Sequence, residues 1–573
     1  MKIIALDTET TQTIVKGLDI PFIGTSTNVK LENTLYDFNK KSDFEKFKKI
    51  CESVNYEKIF HNVSYDKYTL KNIGINLVKP YHDTMAMASL VNENYERKGL
   101  KLLANVYLNE ACLESDILRR YKNTNNIEDF IHIPKNILYP YALKDTEYTL
   151  KLYFLFKSII NRKFKDLYEF EIELVNPIVS MQLDGFRINK KLAVEYYSKL
   201  YNLAKSSYYA MDKILSDNNI ELYDKFLPDA YGQVREILKQ LGYELDSTRK
   251  EILEDMAKDV KFINNLLVYR LARKMNKPYV IYLLNKLDKN DNVHFTYYQS
   301  GAKTGRFTAS LIQAIPKREI KSFSKLGIDF SLSLRNLFVP PKDFFIVSID
   351  YDQIEMRIFA YYSKCKTIID ICKNKGDIHL MMAYEVYGKA KVDSDLNYYR
   401  DKIKTINFGI IYGMSTAKLA VNLRVSQQEA YDILQDMYYN KFPIRDFLRD
   451  SKNQLYRDKL IKIEFNSSLM KFYREYRVPE RLAYKAVNIK VQGTAAYIMK
   501  YGMLRAYNYV LNNKLSKYIK LICTIHDELV WYIHKNYIHE SDILVKIMED
   551  NESLSVPITA TKKISDISWG DCK

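Results

Sequence analysis

Acid residues placed directly after apolar runs constrain this fold more than any other feature of the chain. Asp350 follows the apolar residues 344–349, and Asp527 lies between two further apolar runs, residues 521–525 and 529–531. Short apolar runs predict buried strands, so each acid comes where a strand gives way to a turn and its side chain can leave the core. If the two acids meet in space, they can hold two magnesium ions about 3.5–4 Å apart, as in phosphoryl transfer. On its own, an acid in such a turn is more often a solvated surface residue.

One predicted helix carries cations and aromatic residues on a single face. Arg400, Lys404, Phe408 and Tyr412 are spaced by four positions, which places them in one row along a helix. The two cations suit a triphosphate, while the two rings suit a sugar and a base by stacking. The alternative is an ordinary amphipathic helix, but that pattern does not need cations and rings on the same face. The row therefore favours a nucleoside triphosphate site.

A second set of acids lies nearer the N-terminus. Asp7 and Glu9 are two positions apart at the end of the first predicted strand, so they face the same side. Asp66 comes later, and Tyr141 and Asp145 are one helical turn apart. Four carboxylates gathered at one point would repel one another unless divalent cations neutralise them. Two magnesium ions held in this way activate a water molecule and stabilise the leaving oxygen of a phosphodiester.

Composition favours a large intracellular enzyme with a polyanionic partner. The 573 residues exceed one ordinary core, and the formal net charge of +17 favours phosphate-rich partners, although such an excess also aids solubility. The six cysteines form no close pair, which argues against a zinc site or a disulfide framework and for a reduced setting. The N-terminus lacks the pattern of a signal peptide, and no apolar run approaches about 20 residues, so no membrane contact is expected.

Hydrophobic patterning divides the chain into α/β and mainly helical parts. Residues 1–160 alternate short apolar runs with helical patterns, beginning with a strand at residues 2–6. Residues 164–284 and 373–510 are predicted to be mostly helical, and residues 521–533 to form two short strands around a turn. The predicted fold class is a multidomain protein of α/β and α+β type.

Four segments resemble motifs A, B and C of the family A DNA polymerases, the bacterial DNA polymerase I type. They are residues 350–355 (DYDQIE), 400–412 (RDKIKTINFGIIY), 492–494 (QGT) and 526–528 (HDE). The ordered N-terminal acids resemble the 3′–5′ exonucleases of the DEDD type with a tyrosine in the third motif. The resemblance implies a ribonuclease H-like exonuclease domain at residues 1–165 and a right-hand polymerase domain at residues 166–573. Within the latter it implies a thumb at 166–295, a palm at 296–372 and 491–573, and fingers at 373–490.

The exonuclease resemblance assigns a metal site. The implied metal ligands are Asp7, Glu9, Asp66 and Asp145, and Tyr141 is implied to orient the attacking water. All of these acids are present, so an active proofreading site is predicted. The alternative is a degenerate domain kept as a scaffold, but clustered acids are costly to keep without a metal.

The polymerase resemblance assigns a role to each matched position. The implied metal ligands are Asp350 and Asp527, with Glu528 as an auxiliary acid. The implied nucleotide-binding residues are Arg400, Lys404, Phe408, Tyr412, Glu355, Gln353 and His379. The implied DNA-binding residues are Arg306, Thr304, Gln313, Arg357, Asn488, Gln492 and His526. At its position Glu355 would crowd a ribose 2′-hydroxyl, and Phe408 would discriminate against dideoxynucleotides.

The resemblance also implies cofactors and partners. Two Mg²⁺ ions are expected in each active site, replaceable by Mn²⁺, and primer–template DNA and dNTPs are the expected substrates. A cytoplasmic monomer is expected. Because no 5′-nuclease domain precedes Asp7, a phage source is favoured, with the bacterial host cytoplasm as its location. A helicase, a primase or a processivity factor as a partner stays open, and so does a role in replication or in repair.

Some positions depart from the family pattern. Ala314 and Tyr484 stand where the family has other residues, and the Gly-Arg-Arg that usually precedes the QGT segment is absent. These changes concern the grip on DNA and not the metal site. Two rivals stay open, a nuclease whose C-terminal part only binds DNA and a template-directed RNA polymerase. The second conflicts with Glu355 as a steric gate.

Overall fold

The chain divides into two compact units. The first unit comprises residues 1–184, 296–309 and 347–563, and the second comprises residues 185–295, 310–346 and 564–573. The computed structural model describes residues 1–11, 18–95, 98–317, 319–373, 376–466, 471–550 and 554–572. No helix in those ranges is long and apolar enough to cross a membrane.

The strands of the described residues form one five-stranded sheet, one four-stranded sheet and three two-stranded ribbons. In chain order they are β1 (Lys2–Thr11), β2 (Ile20–Asn28), β3 (Asn33–Asp37), β4 (Tyr56–Phe60), β5 (Tyr81–Asp83), β6 (Phe186–Arg187), β7 (Asn292–Val293), β8 (Tyr297–Tyr298), β9 (Thr308–Ala309), β10 (Phe344–Tyr351), β11 (Leu460–Asn466), β12 (Lys471–Arg477), β13 (Ile519–Ile525), β14 (Glu528–His534) and β15 (Ala560–Ser565).

Short 3₁₀ and π-helical turns join several of the α-helices. In chain order the α-helices are α1 (Lys41–Cys51), α2 (Val63–Asn72), α3 (Thr84–Val91), α4 (Leu100–Leu108), α5 (Leu113–Asn125), α6 (Lys135–Ile159), α7 (Lys165–Glu173), α8 (Val175–Asp184), α9 (Lys190–Asp217), α10 (Tyr231–Gln240), α11 (Lys250–Met256), α12 (Lys261–Met275), α13 (Tyr282–Asn285), α14 (Ser322–Lys325), α15 (Ile354–Ser363), α16 (Lys366–Lys373), α17 (Ile378–Tyr387), α18 (Lys389–Ser394), α19 (Leu396–Ile411), α20 (Thr416–Leu423), α21 (Gln427–Gln435), α22 (Arg445–Asp458), α23 (Ala486–Asn512) and α24 (Glu540–Glu549).

The five-stranded sheet carries the first acids within a strand. Its order is β3-β2-β1-β4-β5, with β1 antiparallel to β2 and parallel to β4. The prediction that the first strand ends at residue 6 is wrong, because β1 continues through the acids to Thr11. Asp7 lies opposite Thr25 and Glu9 opposite Ile23, and a β-bulge follows Glu9. Pairing with β2 satisfies the peptide groups whatever the side chain, so the acids do not end the strand.

The four-stranded sheet brings together the apolar runs that flank the other acids. Its order is β13-β14-β10-β15, and β13 and β14 form the predicted pair of antiparallel strands around a turn. Asp527 lies in that turn, and Asp350 is the penultimate residue of β10. Ile346, Val347 and Ile349 are fully buried, as a central strand requires.

A β-hairpin interrupts the region that was predicted to be helical. Strands β11 and β12 pair antiparallel between α22 and α23. Ile461, Ile463 and Phe465 are buried, while Lys462 and Glu464 between them are exposed. This alternation has the period of two that is typical of a half-buried strand. It was missed because the segments on both sides have helical patterns.

The second unit is mainly helical. Helices α9 and α12 pack along each other, and its core includes Met211, Leu238, Leu253 and Leu266. Strand β6 pairs antiparallel with β7. Residues 166–184, which the resemblance assigns to the thumb, pack within the first unit. The functional boundaries of thumb, palm and fingers stay predictions, because compact units follow packing and not function.

Candidate active sites

The N-terminal acids meet where β1 faces α6. One carboxylate oxygen from each of Asp7, Glu9 and Asp145 lies within 4.8 Å of the other two. Asp66 comes from α2 and accepts a hydrogen bond from the Thr8 hydroxyl at 2.9 Å. The charge of Asp7 acts on Asp66, so all four predicted acids are neighbours, although the tight group of ligand atoms contains three.

The electrostatics of this cluster fit a divalent cation. Burial raises the pKa of Asp7 to about 7. Burial and then repulsion by Asp7 raise the pKa of Glu9 to about 8, and the same two causes raise the pKa of Asp66. Carboxylates held this close resist ionising together unless a cation neutralises them. Oxygen ligands of this kind are those that Mg²⁺ prefers, so the residues present fit the metal that the resemblance implies.

Asp83 orients the helix that carries Asp66. Its buried carboxylate accepts hydrogen bonds from the backbone N–H groups of Asn62, Val63, Met85 and Ala86, at 2.8–3.3 Å. These bonds satisfy the first N–H groups of α3 and fix the chain at the start of α2. Asp83 therefore positions Asp66, and its own carboxylate is satisfied by backbone N–H groups.

A lysine that the sequence analysis missed lies in the acid cluster. The ammonium of Lys101, the second residue of α4, forms an ion pair with Asp145. It also lies 4.2 Å from the centre of the Tyr141 ring. Burial, followed by repulsion from Glu9 and Asp7, raises the pKa of the Tyr141 hydroxyl. No signal in the sequence could have placed Lys101 here, since a lysine near a helix start is normally solvated.

The polymerase-type acids lie at one end of the four-stranded sheet. The backbone N–H of Tyr351 donates to the backbone carbonyl of Asp527 at 3.0 Å, which holds the end of β10 against the turn between β13 and β14. Asp350 and Asp527 are both partly exposed at this edge. Glu528 differs, because its carboxylate is buried and accepts a hydrogen bond from the Ser348 hydroxyl at 2.6 Å.

Arg306 links three of the predicted site residues. Its guanidinium donates to Glu355 at 2.6 Å and lies 3.6 Å from Asp527, while the Tyr412 hydroxyl donates to the other oxygen of Glu355 at 3.0 Å. Burial lowers the pKa of Arg306, but the Asp527 and Glu355 carboxylates outweigh it and raise that pKa above its ordinary value. Burial and Glu355 raise the pKa of Tyr412 to about 12, so the phenol stays a hydrogen-bond donor at neutral pH.

The predicted nucleotide row lies along α19. The Phe408 and Tyr412 rings are stacked 5.6 Å apart, and His379 packs against Phe408 at the same distance. Arg400 donates to Asp377 at 2.6 Å, and Lys404 is partly exposed between the two ends. Tyr412 directly follows the last residue of the helix. Cations and rings thus share one side of α19, as predicted.

His379 is buried beside this row and acts as a neutral group. It is 2% exposed, and its Nδ1 lies 3.0 Å from the Asn407 amide nitrogen. Burial lowers the pKa of His379 to about 4, so the ring is uncharged at neutral pH. A neutral imidazole can still donate one hydrogen bond to a phosphate, but it brings no charge.

The other predicted DNA contacts differ in accessibility. Asn488 and Gln492 lie one turn apart on α23 and are partly exposed, and His526 is exposed in the β13–β14 turn. The Thr304 carbonyl accepts a hydrogen bond from Tyr476 at 3.1 Å. Gln313 belongs to the second unit, in the 3₁₀ turn Ile312–Ala314.

Arg357 and Gln353 lie at the start of α15, and their polar groups are buried where the resemblance implies contacts with DNA or nucleotide. Arg357 is 2% exposed, and its guanidinium donates to the carbonyls of Asp352, Cys372 and Pro557 at 2.8–2.9 Å. It therefore ties three chain segments together inside the first unit. The side-chain oxygen of Gln353 is buried without a hydrogen-bond partner among the described residues.

Gly413 gives a stability prediction for the end of the nucleotide row. Its φ is +64°, and a Cβ there would collide with the Tyr484 carbonyl oxygen. We expect Gly413→Ala to lose about 2 kcal/mol or more of stability and to lower the melting midpoint, because strain and collision add. Gly74→Ala is the matched control, since Gly74 also has a positive φ (+79°) but nothing within 4 Å of a new Cβ. Equal losses in the two variants would show that the collision does not matter.

Comparisons with known proteins agree with this geometry. The family model described as DNA polymerase family A matches residues 188–571, and a model described as 3′–5′ exonuclease matches residues 1–161. DNA polymerase I of Borreliella burgdorferi is 28% identical, over 99% of this chain and 61% of its own length. DNA polymerase I of Pseudomonas aeruginosa is 24% identical, over 100% of this chain and 64% of its own length. The chain thus spans less than two thirds of these relatives.

A solved structure shares the fold. It is the POL domain of Pol1 from M. smegmatis in complex with DNA primer-template and dNTP, with a TM-score of 0.78 and 20% identity, covering 99% of this chain and 96% of that one. The predicted order of an α/β exonuclease domain before an α+β polymerase domain is confirmed by these matches. A phage source stays a prediction. Because the family model covers most of its length, the chain belongs to DNA polymerase family A and carries a 3′–5′ exonuclease domain ahead of the polymerase part.

Proposed function

We propose that this protein extends a DNA primer on a DNA template with dNTPs and removes mispaired ends with its 3′–5′ exonuclease. The observation that carries the proposal is the contact of Arg306 with Asp527 and Glu355 and of Tyr412 with Glu355. These residues lie at the end of the four-stranded sheet that carries the β13–β14 turn, within the region matched by the polymerase family. The match to the polymerase family and the contacts among these side chains both support the proposal.

In the polymerase site, Asp350 and Asp527 would hold two magnesium ions. The ions would supply a lowered pKa for the primer 3′-hydroxyl and stabilisation of charge on the phosphoryl group. The chain's own residues do the rest: the cations of α19 bind the triphosphate, and the Phe408 ring stacks on the incoming nucleotide. Manganese, with the same ligand preference for oxygen, is expected to substitute.

Arg306 prepares the site for a charged substrate. While its guanidinium pairs with Glu355 and Asp527, it holds both carboxylates in place. Tyr412 fixes the second oxygen of Glu355, so this acid has little freedom to swing away from the sugar position. The geometry supports Glu355 as the group that excludes a 2′-hydroxyl.

In the exonuclease site, Asp7, Glu9, Asp66 and Asp145 would hold the metal ions, and Tyr141 would orient the attacking water. The raised pKa of Tyr141 keeps its hydroxyl protonated, so it can donate a hydrogen bond to a developing hydroxide or to a phosphate oxygen. The partly exposed Asn488 and Gln492 on α23 suit template and primer contacts, whereas the burial of Arg357 favours a structural role.

A gel assay tests the proposal directly. A 5′-labelled primer annealed to a longer template is incubated with magnesium, with and without dNTPs. We expect extension with dNTPs and shortening without them. Shortening under both conditions would favour the nuclease rival, and equal use of rNTPs would favour the RNA polymerase rival.

Glu355→Ala gives the specificity prediction. We expect the ratio of rNTP to dNTP incorporation to rise about 10- to 100-fold, because the variant opens the space that a 2′-hydroxyl needs. Single-turnover incorporation of one rNTP and one dNTP measures the ratio. Glu464→Ala, which removes an exposed acid from β11, is the control and should leave the ratio unchanged. An unchanged ratio in Glu355→Ala would show that Glu355 is not the residue that excludes the 2′-hydroxyl.

A further inference from the structure

The ammonium of Lys101 lies within the exonuclease acid cluster, where several side chains hold it. It forms an ion pair with Asp145, a member of the group whose oxygens lie within 4.8 Å of one another. Its charge also acts on Asp7 and Glu9, where it favours the ionised carboxylates. One cation thus serves at least three of the acids that the proposed exonuclease needs.

Two aromatic rings hold Lys101 independently of the acids. Its Nζ lies 4.2 Å from the centre of the Tyr141 ring and 5.3 Å from that of Tyr148, distances at which a cation is attracted to a ring face. Its side chain is 24% exposed, and the Cys112 thiol contacts its backbone carbonyl at 3.7 Å. This is a defined environment and not that of a surface lysine that happens to reach an acid.

Resting on the proposed exonuclease activity, we propose that Lys101 is an internal counter-cation that competes with divalent metal for Asp145 and thereby sets how much metal the exonuclease site requires. A carboxylate oxygen engaged by the ammonium has to be released before it can ligate a metal ion. Metal binding therefore includes the cost of moving Lys101, while the metal-free protein keeps a neutralising charge among its acids.

The competition predicts opposite effects of one substitution on two quantities. Lys101→Met keeps the length and apolar stem of the side chain and removes its charge. Divalent metal should then bind more tightly, because Asp145 is free. The metal-free protein should melt at a lower temperature, because buried carboxylates lose their counter-charge. A merely structural lysine would lower the melting temperature without tightening metal binding.

Manganese binding tests the proposal on the full chain. Titration followed by electron paramagnetic resonance is made in the background Asp350→Ala/Asp527→Ala, so that the exonuclease acids provide the tight site. We expect Lys101→Met to lower the Kd for Mn²⁺ about tenfold. Lys144→Met is the matched control, because Lys144 precedes Asp145 on α6 but pairs with Glu147 at 2.8 Å, and it should leave the Kd unchanged. Lys101→Gln is a second variant, and primer extension by the single Lys101 variants reports correct folding.

The outcomes separate this inference from the function on which it rests. An unchanged or higher Kd in Lys101→Met and Lys101→Gln, with Mn²⁺ still bound by the parent protein, overturns the competition alone. Loss of 3′–5′ degradation at an unchanged Kd also overturns it and assigns Lys101 to substrate contact. Failure of the parent protein both to bind Mn²⁺ and to degrade DNA overturns the exonuclease proposal as well.

Discussion

Asp527→Ala is expected to lower primer extension about 10³-fold or more, equivalent to about 4 kcal/mol of transition-state stabilisation, and to leave 3′–5′ degradation unchanged. The reason is that Asp527 lies in the turn held against the end of β10, which carries the partly exposed Asp350, the other proposed metal ligand. Without the Asp527 carboxylate, Asp350 would have to hold the magnesium ions without the second of the two proposed ligands. The substitution also deprives Arg306 of the charge 3.6 Å away.

The measurement compares the rate of single-nucleotide extension with the rate of shortening without dNTPs on the same labelled primer. Asp446→Ala is the control, because Asp446 is 78% exposed in a surface ion pair with Arg449, which is worth at most about 1 kcal/mol. Extension at the wild-type rate by Asp527→Ala would show that Asp527 is not a metal ligand of the polymerase site. A loss of both activities would point to misfolding, which melting curves distinguish.

The positions of the acids could be predicted because the signals are local. An apolar run that stops at an acid marked the end of β10 at Asp350 and the turn after β13 at Asp527, although β1 continues through its acids. The four-residue spacing along α19 is equally local, and the structure keeps Phe408 and Tyr412 stacked on one side. Periodicity within a single element is therefore enough to find these residues.

The partners of these residues could not be predicted, because they come from distant parts of the chain. Arg306 matched a family position for DNA contact, yet it pairs with Glu355 and Asp527. Arg357 is a long cation near a helix start, a pattern that normally indicates a surface residue. Three carbonyls from separate segments bury it instead, and no spacing in the sequence indicates such a convergence.

The acid cluster of the exonuclease was predicted in its members but not in its charge balance. Sequence reasoning supplied four carboxylates and a tyrosine and assumed that metal alone neutralises them. The structure adds the Lys101 ammonium, which comes from α4 and lies against Asp145 and Tyr141. This contact depends on how α4 packs against α6, which helical periodicity within one helix cannot indicate.

Asp7→Asn is expected to lower 3′–5′ degradation about 10³-fold and to leave primer extension unchanged, the converse of Asp527→Ala. Asp7 contributes one of three carboxylate oxygens that lie close enough together to hold a metal ion, and an amide is a weaker ligand than a carboxylate. The matched control is Asp43→Asn, which changes an acid of α1 in the same domain whose lysine partner, Lys46, is 70% exposed. Shortening of the labelled primer at the wild-type rate would exclude Asp7 from the site.

The same substitution has a second consequence that depends on pH. Burial raises the pKa of Asp7 to about 7 in the folded protein, against about 3.9 in an unfolded chain. The stability that the protonated form contributes is fully present below about pH 4 and is lost as the pH rises to about 7, since the folded state then holds an ionised carboxylate among other acids. Asparagine stays neutral throughout, so without metal Asp7→Asn should melt at a higher temperature than the wild type at pH 8 and at the same temperature at pH 4. Magnesium should reduce this difference in melting temperature at pH 8, because it stabilises only the ionised cluster. A difference in melting temperature that is the same at pH 4 and pH 8 would show that the pKa of Asp7 is not raised in the folded protein.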